Sequence, residues 1–264
     1  MTATRRVRAI TVRPARVDLK RRPCIARLRA GARKKLCPPI DPNLPESDTG
    51  VPTVLTDAVF KTAWQALAAR DADLARVVEC FGPPPLWRRR PSFTTLVRII
   101  LEQQVSLNAA RAVFNRLSAA VAPFSAATVR RLDERILREA GLTRQKRVYI
   151  RALAEAVATG RLRLNALAAM PDNDVREALM QIKGIGPWTA DIYLLMALRR
   201  ADIWPRGDLA LDTALTQIKH RGRPMSASEA AAVVSSWRPW RSVAARILWH
   251  AYLSTRNRSA PEAL

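Results

Sequence analysis

The 264-residue chain has little of what metal centres and small stapled folds are made from. Its three cysteines, Cys24, Cys37 and Cys80, are odd in number, widely spaced and without a C-x-x-C pair. That argues against a disulfide framework or a zinc site and fits a reduced, cytoplasmic setting. Two histidines, His220 and His250, are too few and too far apart for a metal cluster. No run approaches the ~20 apolar residues of a membrane span, so no membrane partner is expected. Strand-like alternation bounded by Asn-Gly or Asp-Gly turns is missing, which speaks against a β fold. Acidic residues are scarce as well: 45 Lys and Arg stand against 22 Asp and Glu, a net charge of +23. A surplus of that size is the electrostatic footprint of a polyanion, with nucleic acid the first candidate.

Part of the surplus is concentrated at the start. Between Arg5 and Lys35, Asp18 is the one negative charge. A transit peptide would share this Arg-rich profile, but no hydrophobic signal core follows. With Pro38, Pro39, Pro42 and Pro45 the segment shows neither helical nor strand period. Residues 1–50 therefore read as a basic, disordered arm with too little apolar surface to offset ordering entropy.

From about Thr56 the pattern changes to Ala, Leu, Arg and Glu, with apolar residues recurring at three and four spacing. The spacing predicts helices over Asp57–Arg70 and Asp73–Phe81, then one entered at Ser92, and further ones over Asn108–Val121, Ala127–Ala140, Arg144–Thr159 and Asp172–Gln181. Pro187–Arg199, Leu209–Lys219, Ser228–Ser236 and Ser242–Ser254 follow. The expected fold is all-α, with about ten helices.

One segment stands out: Leu179-Met180-Gln181-Ile182-Lys183-Gly184-Ile185-Gly186-Pro187-Trp188-Thr189-Ala190-Asp191. A helix ends, two glycines one residue apart make a tight turn, and a second helix opens with proline in its first turn. The N–H groups of such a turn and helix start suit a phosphate, and Lys183 adds charge. A plain helical hairpin would read the same way locally. The pattern is neither a Walker loop nor a dinucleotide fingerprint. About twenty residues on, Trp204-Pro205-Arg206-Gly207-Asp208-Leu209 delivers a carboxylate from a Pro/Gly loop to a helix start, where an N-cap role is the local expectation.

Together, the hairpin, the Gly/Pro loop and the aspartate resemble the helix-hairpin-helix (HhH-GPD) DNA glycosylase superfamily, and within it the bacterial 3-methyladenine DNA glycosylase II branch. The similarity spans about residues 56–255. It includes Ile100-Leu101-Glu102-Gln103-Gln104-Val105-Ser106, Gly141-Leu142 with Lys146-Arg147, and Trp237-Arg238-Pro239-Trp240-Arg241-Ser242. A β-rich N-terminal domain found in that branch has no counterpart here; the basic arm stands in its place.

The resemblance implies two helical subdomains, about 91–200 and 56–90 with 201–256, inside a glycosylase domain over 51–258, followed by a tail over 259–264. The active site would lie between the subdomains. It makes Asp208 the catalytic carboxylate and places Trp188, Trp249, Trp204 and Ile192 around an extruded base. Lys183, Gly184, Ile185, Gly186 and Thr189 would grip DNA, Gln104 would fill the gap left in the stack, and Ser106 would flank it. Trp64, Trp87, Trp237 and Trp240 are expected in the core, and Asp202 and Asp212 at the surface or in caps.

Where strand-cleaving members carry a Schiff-base lysine, this chain has Trp188, which cannot form an imine. No cysteine follows Cys80, so the iron–sulfur cluster of other branches cannot be built. No cofactor is expected beyond a structural Na⁺ or K⁺ on the backbone carbonyls of Met180, Ile182 and Ile185. The implied function is a monofunctional, monomeric base-excision glycosylase that hydrolyses the N-glycosidic bond of alkylated purines in duplex DNA, cytoplasmic and nucleoid-associated. A bifunctional glycosylase/lyase, a non-catalytic helix-hairpin-helix module and a non-DNA enzyme with a basic tail are the alternatives.

Deleting residues 1–50 is expected to weaken binding to duplex DNA and to flatten its dependence on salt, because fewer counterions are then released. Base excision should persist at saturating protein, as titrations from low to high salt with a parallel product assay would show.

Overall fold

The structure, a computed structural model, describes residues 53–219 and 225–256; the basic arm, His220 and the C-terminal tail lie outside the described residues. Among the described residues twelve α-helices follow one another: α1 Asp57–Arg70, α2 Ala72–Phe81, α3 Phe93–Glu102, α4 Leu107–Ala119, α5 Ala126–Arg130, α6 Glu134–Glu139, α7 Arg144–Ala158, α8 Asp172–Met180, α9 Pro187–Met196, α10 Leu209–Lys219, α11 Ala227–Ser235 and α12 Arg241–Thr255. No sheet is present among the described residues; Val54 and Arg200 form one isolated antiparallel bridge.

Local chemistry sets the starts. The side chains of Thr56, Ser92, Ser106, Ser125, Thr143 and Ser226 each accept the N–H of the third residue on, while Asp71 and Asp133 cap α2 and α6. Two expected helices differ. The segment expected as one helix over Ala127–Ala140 is two, because Asp133 accepts the N–H of Arg135 and opens a new helix after α5 has ended. The helix expected to reach Arg199 stops at Met196: Leu198 donates to the Tyr193 carbonyl and Arg200 to that of Leu194, closing the end with Arg199 at φ +55°. Cys80 is disulfide-bonded, against the expectation from spacing. Spacing along the chain says nothing about distance in space.

Packing divides the helices into two groups. Helices α1, α2, α10 and α12 contact one another, as do α3 to α9, with α3, α7 and α9 central in the second group. Between them runs the guanidinium of Arg246 on α12, which is fully buried. It donates to the carbonyls of Leu86 (2.7 Å), Ser242 (3.0 Å) and Leu195 near the end of α9 (2.7 Å). Burial pushes its pKa down to about 9, so at neutral pH the group remains a cation neutralised by carbonyl dipoles. Trp237 and Trp240 are 1% exposed, as expected of core residues, and Trp87 is also buried. Trp64 is partly buried against the same core.

Asp71 joins three segments of the first group. It caps α2, binds Lys219 at the end of α10 (2.7 Å) and accepts the Trp237 indole N–H (2.8 Å). Burial pushes its carboxyl upward, but the Lys219 and Trp237 donors outweigh burial and the net shift is downward. A carboxyl with a depressed folded-state pKa stabilises fully above its unfolded value near 3.9 and loses that contribution as pH falls below it. Asp71→Asn is expected to destabilise by about 2 kcal/mol, since Lys219 then keeps only Asp73 (3.1 Å) as a charge partner. The loss should shrink below about pH 4, as denaturant melts at pH 7 and pH 3 would show.

Candidate active site

The loop carrying Asp208 is anchored at both ends. At its start the Asp202 carboxylate accepts from the Arg241 guanidinium (2.8 and 3.0 Å) and from the first N–H of α12 (3.2 Å). The next residue, Ile203, donates its N–H to Ser242 Oγ. Asp202 is thus a cap and an ion-pair partner, and Asp212 is exposed on α10. At the far end Gly207 takes φ +77°, a value open to glycine without strain, and turns the chain into α10.

Asp208 is half-buried at the N-terminus of α10. Its Oδ1 accepts the N–H groups of Ala210 and Leu211, both at 3.0 Å, and the Trp249 indole N–H at 3.2 Å. Its Oδ2 accepts the Trp188 indole N–H at 3.0 Å. The N-cap role read from the local sequence is therefore real, on a residue that is only partly buried. All of these donors are neutral, so the negative charge is held but not cancelled. Oδ1 takes three donors and Oδ2 one, which leaves Oδ2 with a lone pair for water or a ligand.

Trp188, at the second position of α9, and Trp249, in the middle of α12, both fix the carboxylate. Ile192, one turn along α9 from Trp188, is 5% exposed. Trp204 is placed differently from the other aromatic residues, with its ring 5.7 Å from that of Trp237. It is partly buried and packs against the core.

The hairpin between α8 and α9 is shaped by Gly184, at φ +95°. A Cβ there would fall 2.0 Å from the Tyr149 ring, so backbone angle and packing both demand glycine. Gly186 caps α9 in extended backbone, and a Cβ at that position would meet nothing within 4 Å. Pro187 follows at the first turn, Lys183 is exposed and Ile185 is 4% exposed, plugging the turn into the core. Thr189, expected to touch DNA, has a side chain buried to 2% and engaged by Gln103. Only its backbone N–H, in the first turn of α9, is left for a phosphate. The carbonyls of Met180, Ile182 and Ile185 lie at the end of α8 and in the turn. The Ile182 oxygen already accepts the Ile185 N–H and keeps a second lone pair, which fits a monovalent cation without side-chain ligands. No cluster of His, Cys, Asp or Glu suited to a metal occurs among the described residues.

Gln104 is exposed at φ +57°, immediately past the end of α3, and Ser106 is the exposed cap of α4. What holds Gln104 there was not assigned from sequence. Gln103 reaches across to donate to the Gly184 carbonyl and to Thr189 Oγ1, each at 2.9 Å. Lys146, on α7, donates to the carbonyls of Leu101 (2.7 Å) and Gln103 (3.0 Å), and burial lowers its pKa. Arg89 grips Glu102 with two bonds of 3.0 and 2.7 Å. The turn bearing Gln104 is thereby fastened to the glycine hairpin. The signal existed, since Glu102, Gln103 and Lys146 all lie in stretches that carry the family resemblance, but periodicity alone gives no hint of contacts 43 to 86 residues apart.

Comparison with known proteins agrees with this geometry. Residues 97–239, more than half of the chain, match the HhH-GPD superfamily base excision DNA repair protein model. The chain is 29% identical over 196 residues to DNA-3-methyladenine glycosylase 1 of Schizosaccharomyces pombe, covering 69% of this chain and 83% of that protein. Among solved structures, a DNA-3-methyladenine glycosidase of Bacillus halodurans superposes with a TM-score of 0.62 at 30% identity, covering 74% of this chain and 91% of that one. A 3-methyladenine DNA glycosylase of S. pombe bound to abasic DNA gives a TM-score of 0.65 at 26% identity, with 76% and 99% covered. The chain belongs to the HhH-GPD superfamily of base excision DNA repair proteins.

Proposed function

We propose that the chain is a monofunctional DNA glycosylase that flips a damaged, alkylated purine out of the duplex and hydrolyses its N-glycosidic bond, leaving an abasic site. It acts as a monomer on chromosomal DNA in the cytoplasm. The observation that carries this reading is Asp208, a half-buried residue whose carboxylate is held by two tryptophan N–H groups and a helix start, with no cationic partner among the described residues.

An N3- or N7-alkylated purine carries positive charge in its ring. When the C1′–N bond breaks, the bond pair neutralises that ring and the base departs neutral, so a second carboxylate acting as acid is not needed. The sugar is left with oxocarbenium character, which the uncancelled charge of Asp208 stabilises. Oδ2 accepts a proton from the water that adds to C1′, completing the hydrolysis. The indole faces of Trp188 and Trp249 offer flat π surface to a cationic base, and the aliphatic Ile192 closes the pocket beside them. The turn of Gln104 supplies the group that occupies the gap in the stack. The first turn of α9 and Lys183 hold the backbone phosphate.

Asp208→Asn keeps the cap on α10 but sets an NH2 against the Trp188 indole N–H, so a stability loss of about 1 kcal/mol is expected in a thermal melt. Excision from alkylated duplex should fall at least about 100-fold while binding is retained; wild-type turnover would remove Asp208 from its role. Strand cleavage by a lyase requires an amine at the sugar. With Trp188 in that place, borohydride is expected to trap no covalent protein–DNA adduct, and a trapped adduct would establish the bifunctional reading instead.

A further inference from the structure

A cleft of about 420 Å³ opens at the other end of α9 from the glycine hairpin, lined by Arg88, Arg89, Arg90 and Arg199, with Val54 and Ala168. Two of these arginines are occupied. Arg88 pairs with Asp57 (2.9 Å) and Arg89 with Glu102 (2.7 Å). Arg90 and Arg199 have no carboxylate within ion-pair distance among the described residues, so the cleft carries an excess of positive charge.

Helix capping does not account for these two side chains. A helix C-terminus attracts cations through its open carbonyls, but here the carbonyls are taken. Leu195 O accepts from Arg246, Met196 O from the Arg89 N–H, Leu194 O from the Arg200 N–H and Tyr193 O from the Leu198 N–H. Arg199 itself sits at φ +55°, just past the end of the helix, where glycine would be relaxed and an L side chain stores about 1 kcal/mol of strain. A turn of this kind has no need of arginine, whereas a ligand in the cleft does.

We propose that this cleft is a second phosphate-binding site, distinct from the phosphate grip at the start of α9. The planar guanidinium fork matches two phosphate oxygens at once, which a point charge cannot do. The volume accommodates a phosphate together with its attached sugar. Ten residues of helix separate the two ends of α9, about 15 Å at the helical rise, so one phosphate cannot serve both. The phosphate comes either from the backbone of a second stretch of nucleic acid or from a free phosphate ester. This inference does not depend on the chemistry of Asp208.

The test uses the full chain and the double variant Arg90→Gln/Arg199→Gly. Glycine relieves the positive φ, so the variant should melt at or above the wild-type temperature in buffer lacking phosphate, and its excision from a short duplex with one lesion should stay within about twofold. Inorganic phosphate should raise the wild-type melting temperature, with the variant needing about tenfold more for the same rise, the loss expected of charge-assisted bonds. Two short undamaged duplexes carrying a donor and an acceptor dye identify the source. Energy transfer between them that wild type supports and the variant loses assigns the site to a second nucleic-acid segment. A phosphate response that differs without any difference in transfer assigns it to a free phosphate ester. Equal phosphate response and equal transfer in the two proteins overturn the proposal.

Discussion

A carboxylate drawn partly out of water must have its lone pairs satisfied, and to keep its charge it must be satisfied without a counter-ion. Asp208 meets both demands through four N–H donors, two from the backbone at the start of α10 and two from indoles. Because those indoles come from α9 and α12, the carboxylate is in place only when the glycine hairpin, the loop after it and the last helix are mutually packed. The site is thus a readout of the whole second half of the chain. Tryptophan suits the position because its indole is a donor only and satisfies the carboxylate without adding a charge.

Helix ends recur as the working surface. The start of α9 follows the glycine hairpin, the start of α10 holds the carboxylate, and the end of α3 launches the exposed turn at Gln104. Each is stabilised by a group from elsewhere in the fold. Lys146 saturates the carbonyls at the end of α3, Gln103 bridges to the hairpin, and the Arg176–Asp191 pair (2.6 Å) ties α8 to α9. Burial raises the pKa of Asp191 against the pull of Arg176, so this ion pair is held in place by the packing around it.

Not all of the positive charge is for a polyanion. Arg246 and Arg200 are buried clamps on backbone carbonyls, with Arg200 also 3.1 Å from Asp172, and Arg89 is spent on Glu102. The bulk charge of +23 therefore overstates what the surface offers to DNA. The distinction matters for Arg-rich repair proteins generally, since guanidinium groups serve as interior cross-links as readily as phosphate grips.

Much was legible in the sequence because it is governed by local rules. Helical periodicity, Ser/Thr/Asp caps, the Gly184–Gly186 turn and a carboxylate opening α10 all depend on residues within four positions of one another. The break between α5 and α6 is not legible in the periodicity because Leu132 keeps the apolar period across it, while the Asp133 cap that decides it is a single residue. What only the tertiary structure decided are the pairings across long separations: Trp188 and Trp249 on Asp208, Gln103 on the hairpin, Trp204 beside Trp237, and Thr189 turned inward. The physical reason is that a hydrogen bond depends on where donor and acceptor meet in space, and sequence encodes that meeting only through the packing of every helix between them.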